Sequence, residues 1–413
     1  MILILGWVFV PFYTRSMVYT MPEFLERRYN PQSRTILSVI SLVSYVLTKV
    51  AVTVYAGGLV FQQVFGIKEL WGIDFFWIAA IGLVVLTALY TIFGGMKSVL
   101  YTSVLQTPIL LLGSLIILVL GFKELGGWDE MMRVCGAVTV NDYGDTMTNL
   151  IRSNDDANFP WLGALIGSAI IGFWYWCTDQ FIVQRVLSGK NEMEARRGTI
   201  FGAYLKLLPV FLFLIPGMIA FALHQKYIGA GGEGFLPMLE NGTANADAAF
   251  PTLVAKLLPA GVKGLVVCGI LAALMSSLAS LFNSSAMLFT IDFYKRFRPQ
   301  TSEKKLVGIG QVATVVIVIL GILWIPIMRS VGDVLYTYLQ DVQSVLAPGI
   351  AAAFLLGICW KRTSAQGGMW GLISGMVIGL TRLGAKVYYS NAGEVADSTF
   401  KYLFYDMNWL FFC

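Results

Sequence analysis

The stretch FWYWCTDQFIVQR, residues Phe173 to Arg185, sets Trp174, Tyr175 and Trp176 beside Asp179, Gln180, Gln184 and Arg185 in a chain that is otherwise mostly apolar. A charge at the centre of a membrane helix costs about 2.5–3.5 kcal/mol on insertion scales, so polar side chains at that depth tend to face a cavity or a solute path. Aromatic faces beside hydrogen-bonding amides suit a solute with an apolar face and a polar rim, such as a sugar ring. The same aromatics also fit an interfacial belt that merely anchors a helix end. The segment alone leaves both readings open.

The surroundings decide the broad class. Hydrophobic residues make up 57% of the 413 and charged residues 13%, where a soluble domain carries about 25% charged residues. Mean hydropathy is +0.72. The chain reads as a single all-α polytopic transmembrane domain over 1–413 in a cell membrane, the inner membrane if bacterial. The net charge of +5 says less than its placement in loops, and no nucleic-acid partner is expected. Cys135, Cys177, Cys268, Cys359 and Cys413 lack metal spacing, and His224 stands alone; no zinc, haem, disulfide framework or other cofactor is expected. The N-terminus, MILILGWVFVPFYTRS, has neither a basic leader region nor a small-residue cleavage site and reads as part of a spanning helix. No nucleophile and base are arranged for covalent chemistry, so an enzyme is not expected.

Apolar runs long enough for a bilayer of about 30 Å cover 1–18, 35–65, 75–94, 99–122, 161–183, 200–224, 262–290, 305–327, 336–359 and 367–385, with the start of another from Tyr405 to Cys413. The connections at 19–34, 95–98, 184–199, 291–305 and 360–366 hold fifteen Lys/Arg and six acids; the others hold nine Lys/Arg and fifteen acids. The positive-inside rule makes the first set cytoplasmic. That sidedness brings the Phe173–Arg185 segment in from outside, with Gln180 and Arg185 toward the cytoplasm. Within YTMPEFLERRYN, Thr20, Pro22 and Glu23 form a capping box that opens a short interfacial helix. The outer loops, about 123–160 and 225–261, are rich in Gly, Asn and Asp and are expected to hold little regular structure. The chain begins inside one apolar run and ends inside another, which reads as a longer transporter cut at both ends.

Further polar groups interrupt the spans. In LAALMSSLASLFNSS, Ala273, Ser276, Ser277 and Ser280 fall at i, i+3, i+4 and i+7, one face of a helix. Such a face either supplies oxygens to a small hard cation or lets two helices approach closely; spacing does not separate the two. Lys49 and Lys206 lie inside their runs with no acid three or four residues away. Gln340, Asp341 and Gln343 precede Pro348-Gly349, a polar cluster followed by helix-weakening residues, as in discontinuous transport helices.

FWYWCTDQFIVQR, YLKLLP around Lys206, LAALMSSLASLFNSSAMLFTIDFYK, YTMPEFLERRYN and FLLGICWKR resemble, in order and spacing and over nearly the whole chain, the solute:sodium symporter family, and within it the sodium/glucose cotransporters. The resemblance implies a LeuT-like core of two inverted five-helix repeats working by alternating access, lacking the first core helix, which would precede Met1 together with the start of the second. It implies sodium as coupling ion at Ala273, Ser276 and Ser277. Tyr175 would close the solute's inner side with Trp176 beside it, and Lys206, Gln340 and Gln180 would belong to the sugar site. Ser103, in YTSVLQT, stands where many relatives have an aspartate linked to a second sodium, which implies one coupling ion. Gly172 replaces an asparagine that binds sugar in a bacterial relative, which leaves the solute open. The function implied is sodium-coupled symport of a sugar or sugar-like polyol. The alternatives are symport of sialic acid, proline, pantothenate or inositol, and a fragment or solute sensor that does not transport.

Overall fold

The computed structural model describes residues 1–18, 20–239, 242–331, 334–391 and 398–413. In chain order its principal helices are α1 (Ile2–Ser16), α2 (Met21–Arg28), α3 (Pro31–Phe65), α4 (Phe75–Leu125), α5 (Trp128–Gly136), α6 (Trp161–Thr178) and α7 (Gln180–Leu187). Then follow α8 (Glu192–Gly229), α9 (Ala249–Leu257), α10 (Ala260–Phe297), α11 (Glu303–Val331), α12 (Leu335–Cys359) and α13 (Ala365–Asn391). Among the described residues seven helices are long and apolar enough to cross a membrane, or eight if the bent pair α1 and α2 is one span. The connection expected at 95–98 is helical backbone: α4 runs unbroken from Phe75 to Leu125 through both predicted spans. Its N-terminus is capped by Asp74, which accepts from the Phe76 N–H at 2.9 Å, and Gly126 ends it at φ +112°, a conformation only glycine adopts cheaply.

The chain divides into two compact units. The first comprises Met1–Val52, Ala157–Tyr204 and Leu281–Cys413; the second comprises Thr53–Asp156 and Leu205–Ser280.

In the first unit the capping box forms as read. Thr20 is extended, its hydroxyl accepts from the Glu23 N–H at 3.2 Å, and Pro22 occupies the first turn of α2. The short helix then works as a clamp. Arg28 donates to the carbonyls of Gly357 and Trp360 at 2.6 and 3.0 Å, and Tyr29 to that of Ala353 at 2.7 Å. Those carbonyls belong to the C-terminal end of α12, where a cation is favoured by the helix dipole. Thr20 and Arg34 both reach Asp292 near the end of α10, at 2.9 and 2.6 Å, and Arg34 also pairs with Glu26.

Helix α12 is continuous through Pro348, contrary to the break expected there. Proline removes the N–H that the carbonyl four residues back would accept; here that carbonyl, on Ser344, takes a contact from the Cys413 thiol at 3.7 Å instead. Gly349 meets Gly375 of α13 so closely that a Cβ at Gly375 would sit 2.8 Å from the Gly349 Cα.

In the second unit the core gathers Phe61, Ile117, Ile219, Leu223, Val266 and Ile270. The outer loops contribute to it, against the expectation of little regular structure. Helix α5 adds Met131 and Cys135, and α9 adds Leu253 and Val254, all buried. Their amphipathic sequences bury one face each, which is the usual reason a short helix holds. His224 accepts from the Leu236 N–H at 3.0 Å and so pins the loop over α8. Asp145 gathers the amides of Asn141 and Asn149 and the Ser153 N–H at 2.7–3.0 Å; these donors, Asn141 first, hold its carboxyl below the usual range.

Gly375→Leu is expected to lower the melting temperature and the monodisperse yield of purified protein, because overpacking a tight contact costs about 1–3 kcal/mol. Gly384→Ala, on the same helix but facing open space, should leave both unchanged.

Candidate functional site

Several helices carry a widened, π-helical turn, and three of these turns in the first unit carry or adjoin buried polar residues. Tyr45–Val50 in α3 carries Lys49, Trp174–Thr178 ends α6, and Leu288–Tyr294 in α10 carries Asp292. Such turns recur at functional sites because the extra residue re-aims side chains and loosens the carbonyl ladder. Tyrosines reach those carbonyls here: Tyr13 donates to Cys177 O at 2.8 Å, and Tyr338 to Leu47 O at 2.9 Å, itself held by the Trp324 indole at 2.6 Å.

After Thr178 the helix breaks. Asp179 takes an extended conformation (φ −77°, ψ 124°) and caps α7, accepting from the Phe181 N–H at 3.0 Å. The predicted span 161–183 is therefore two helices joined at its acid, with a short side chain satisfying the new N-terminus. The same carboxylate accepts from the Tyr45 hydroxyl at 2.9 Å and forms an ion pair with Lys49. Asp179 is 3% exposed and Lys49 10%. The rings of Phe181, Tyr45 and Tyr175 surround the Lys49 ammonium at 4.3, 4.7 and 5.2 Å from their centroids, a cation–π cage that strengthens away from water. A partner for Lys49 does exist, 130 residues away, where no local spacing rule reaches it.

Tyr175 and Trp176 are half-buried, their rings edge to face at 5.1 Å. Gln180 is buried and already engaged: its carbonyl accepts from the Met21 N–H at 2.8 Å, and its amide donates to Gln184 at 3.3 Å. It ties α7 to the N-terminus of α2. Gln340, half-buried on α12, donates to the Tyr336 hydroxyl at 3.3 Å, and α12 packs against the Trp174–Thr178 turn. Its neighbour Asp341 pairs with Arg382, fully buried, at 3.2 Å and with Lys386 at 2.9 Å. Sequence reading singled out neither base.

Within the second unit, Ser276 is buried on α10 and its hydroxyl meets that of Ser103 at 2.6 Å, while Ser280 donates to the Ser276 carbonyl at 3.0 Å. Ala273 and Ser277 are half-buried on the same helix. Lys206 is exposed on a turn at residues 206–207, where α8 is locally interrupted. Pro209 explains the interruption, since it cannot donate to the carbonyl of Leu205 and disfavours helix in the residue before it.

A model described as the sodium:solute symporter family matches residues 1–375. The chain is 38% identical to the sodium/glucose cotransporter 1 of Ovis aries over 100% of its own length and 64% of the relative's. It is 40% identical to a sodium/mannose cotransporter of Bos taurus, over 92% of its length and 65% of the relative's. To the sodium/myo-inositol cotransporter 2 of Homo sapiens it is 38% identical, over 92% and 57%. The chain thus spans somewhat less than two thirds of the length of these relatives. Among solved structures, a Na+-coupled sialic acid symporter in a substrate-bound outward-open state superimposes with a TM-score of 0.72 at 22% identity, covering 100% of this chain and 78% of that one. The expected LeuT-like fold is the fold the two share. The family match and the apolar helices together make the chain a multi-pass membrane protein of a family of transporters rather than enzymes, and it belongs to the sodium:solute symporter family.

Proposed function

We propose that this chain forms the transport core of a sodium-coupled symporter carrying a sugar or sugar-like polyol by alternating access. The observation that carries the reading is the break at Asp179, where a buried ion pair and an aromatic cage hold Tyr175 and Trp176 at the junction of two helices. Broken helices beside polar side chains are how transport sites are built at membrane depth. Relatives named for glucose, mannose and myo-inositol support a polyhydroxylated solute.

In this reading Tyr175 and Trp176 offer ring faces to the apolar side of the solute, and Gln340 hydrogen-bonds its hydroxyls. Gln180, with both ends of its amide engaged, positions α7 against α2 rather than touching the solute. Sodium takes oxygens from Ala273, Ser276 and Ser277. Ser103 is a neutral hydroxyl bonded to Ser276, which supports one coupling ion rather than two. Sodium that favours the outward-open state raises solute affinity, and by linkage the solute raises sodium affinity by the same factor. Inward movement of one charge gains about 2.3 kcal/mol per 100 mV of potential.

The test is sodium-driven uptake of labelled glucose and myo-inositol into proteoliposomes holding the full-length protein. Ser276→Ala with Ser277→Ala should abolish the sodium dependence; uptake that still follows the sodium gradient in that variant would refute the ion site. Gln340→Ala should raise the half-saturating solute concentration tenfold or more, because a buried polar partner lost to the solute costs about 1–3 kcal/mol, with surface expression unchanged. A sodium-to-solute ratio of two, read from charge moved per solute, would overturn the single-ion reading. Asp179→Asn, which leaves the Lys49 ammonium buried and unpaired, should cost about 3–5 kcal/mol; Lys49→Met combined with Asp179→Asn should recover most of the lost melting temperature without restoring uptake.

A further inference from the structure

Within the first unit, α11 and the N-terminal half of α3 enclose a groove of about 580 Å³. Leu42 and Val46 of α3, Phe289 of α10, and Val312, Val316 and Leu320 of α11 line it, and its one charged lining residue is Lys305. Val312, Val316 and Leu320 are exposed, so the groove opens outward along an apolar helix. At about 1.5 Å per residue the wall from Lys305 to Leu320 is about 22 Å long, more than half of a hydrocarbon core of about 30 Å. It therefore runs from one interface past the depth of a leaflet.

The charge at its end is one-sided. Lys295, Arg296, Arg298, Lys304 and Lys305 lie exposed from the last turn of α10 to the first turn of α11, and the two acids of 291–305 are Asp292 and Glu303. Asp292 is buried and held by Arg34. The stretch belongs to the positively charged connections, which the positive-inside rule assigns to the cytoplasmic face, where anionic lipid headgroups attract clustered bases. Gly308 sits on the groove wall one turn beyond Lys305, and a Cβ there would meet nothing within 4 Å.

We infer that this groove is a binding site for one anionic phospholipid of the cytoplasmic leaflet, an acyl chain lying along α11 and the headgroup phosphate held by Lys304 and Lys305. The groove floor leads directly into the Tyr45–Val50 turn that carries Lys49, and α11 packs on that turn through Gly321, where a side chain would collide with Val50. A lipid in the groove thus rests on the same helix pair that positions the Lys49–Asp179 ion pair.

The experiment is native mass spectrometry of delipidated protein titrated with equal amounts of palmitoyl-oleoyl phosphatidylglycerol and palmitoyl-oleoyl phosphatidylcholine. Wild type should retain one phosphatidylglycerol in preference to phosphatidylcholine by about 30-fold, roughly fivefold for each lysine near an anionic surface. Lys304→Gln with Lys305→Gln should abolish the headgroup preference while phosphatidylcholine retention stays. Gly308→Leu, a better helix former aimed into open space, should lose both lipids without a fall in melting temperature. Equal retention of the two lipids by wild type, or undiminished phosphatidylglycerol binding by a folded Gly308→Leu variant, would overturn the assignment. So would displacement of the lipid by a second copy of the chain, seen as a dimer that dissociates in Gly308→Leu.

Discussion

Two charges cannot be left alone in oil, and the first unit is arranged around that constraint. Lys49 and Asp179 come from segments far apart in the chain and are buried against each other, which offsets the cost that either charge would carry alone at membrane depth. Their pairing fixes α3 against the junction of α6 and α7. The break at that junction is satisfied by the same carboxylate, which caps α7 through the Phe181 N–H. Tyr45 completes the arrangement by bonding the carboxylate and turning its face to the ammonium. One interaction thus sets a helix end, a contact between distant helices and the place where Tyr175 and Trp176 are presented.

A second acid follows the same logic elsewhere in the unit. Asp341 is matched by Arg382 and Lys386, and Arg382 also donates to the Met407 carbonyl at 2.6 Å and lies over the Phe412 ring at 4.3 Å. The C-terminal residues of the chain are thereby drawn onto α12 and α13, and Cys413 covers the carbonyl that Pro348 leaves without a partner. A proline that reads as a helix break is accommodated because its cost falls on one acceptor, and a neighbour meets it.

Much of this was legible in the sequence because it is local. The membrane class follows from composition, the opening of α2 from Thr20, Pro22 and Glu23, and the family from long motifs in order. The failures are non-local. Spacing rules examine three or four residues and so miss Lys49 with Asp179 or Asp341 with Arg382. A different count carries the signal: the ten predicted spans contain two acids, Asp179 and Asp341, and six bases, Arg15, Lys49, Lys206, Lys263, Lys305 and Arg382, and each acid pairs with one of those bases. The break at Asp179 also had a local mark, an N-cap residue type inside an apolar run. The helices within the outer loops escaped because Gly and Asn clusters dominate those stretches, whereas Met131, Cys135, Leu253 and Val254 supply the buried faces.

The π-helical turns give the chain a freedom that a regular helix lacks. An apolar stripe on an α-helix works like a reading frame: insert one residue and everything beyond it rotates by about 100°, carrying oil-facing groups inward and core groups out. A π-turn absorbs the extra residue within a single turn, so the stripes before and after keep their faces. At Tyr45–Val50 and Leu288–Tyr294 the chain presents a lysine and an aspartate at such points. Polar chemistry has been spliced into membrane helices there without shifting the frame on either side.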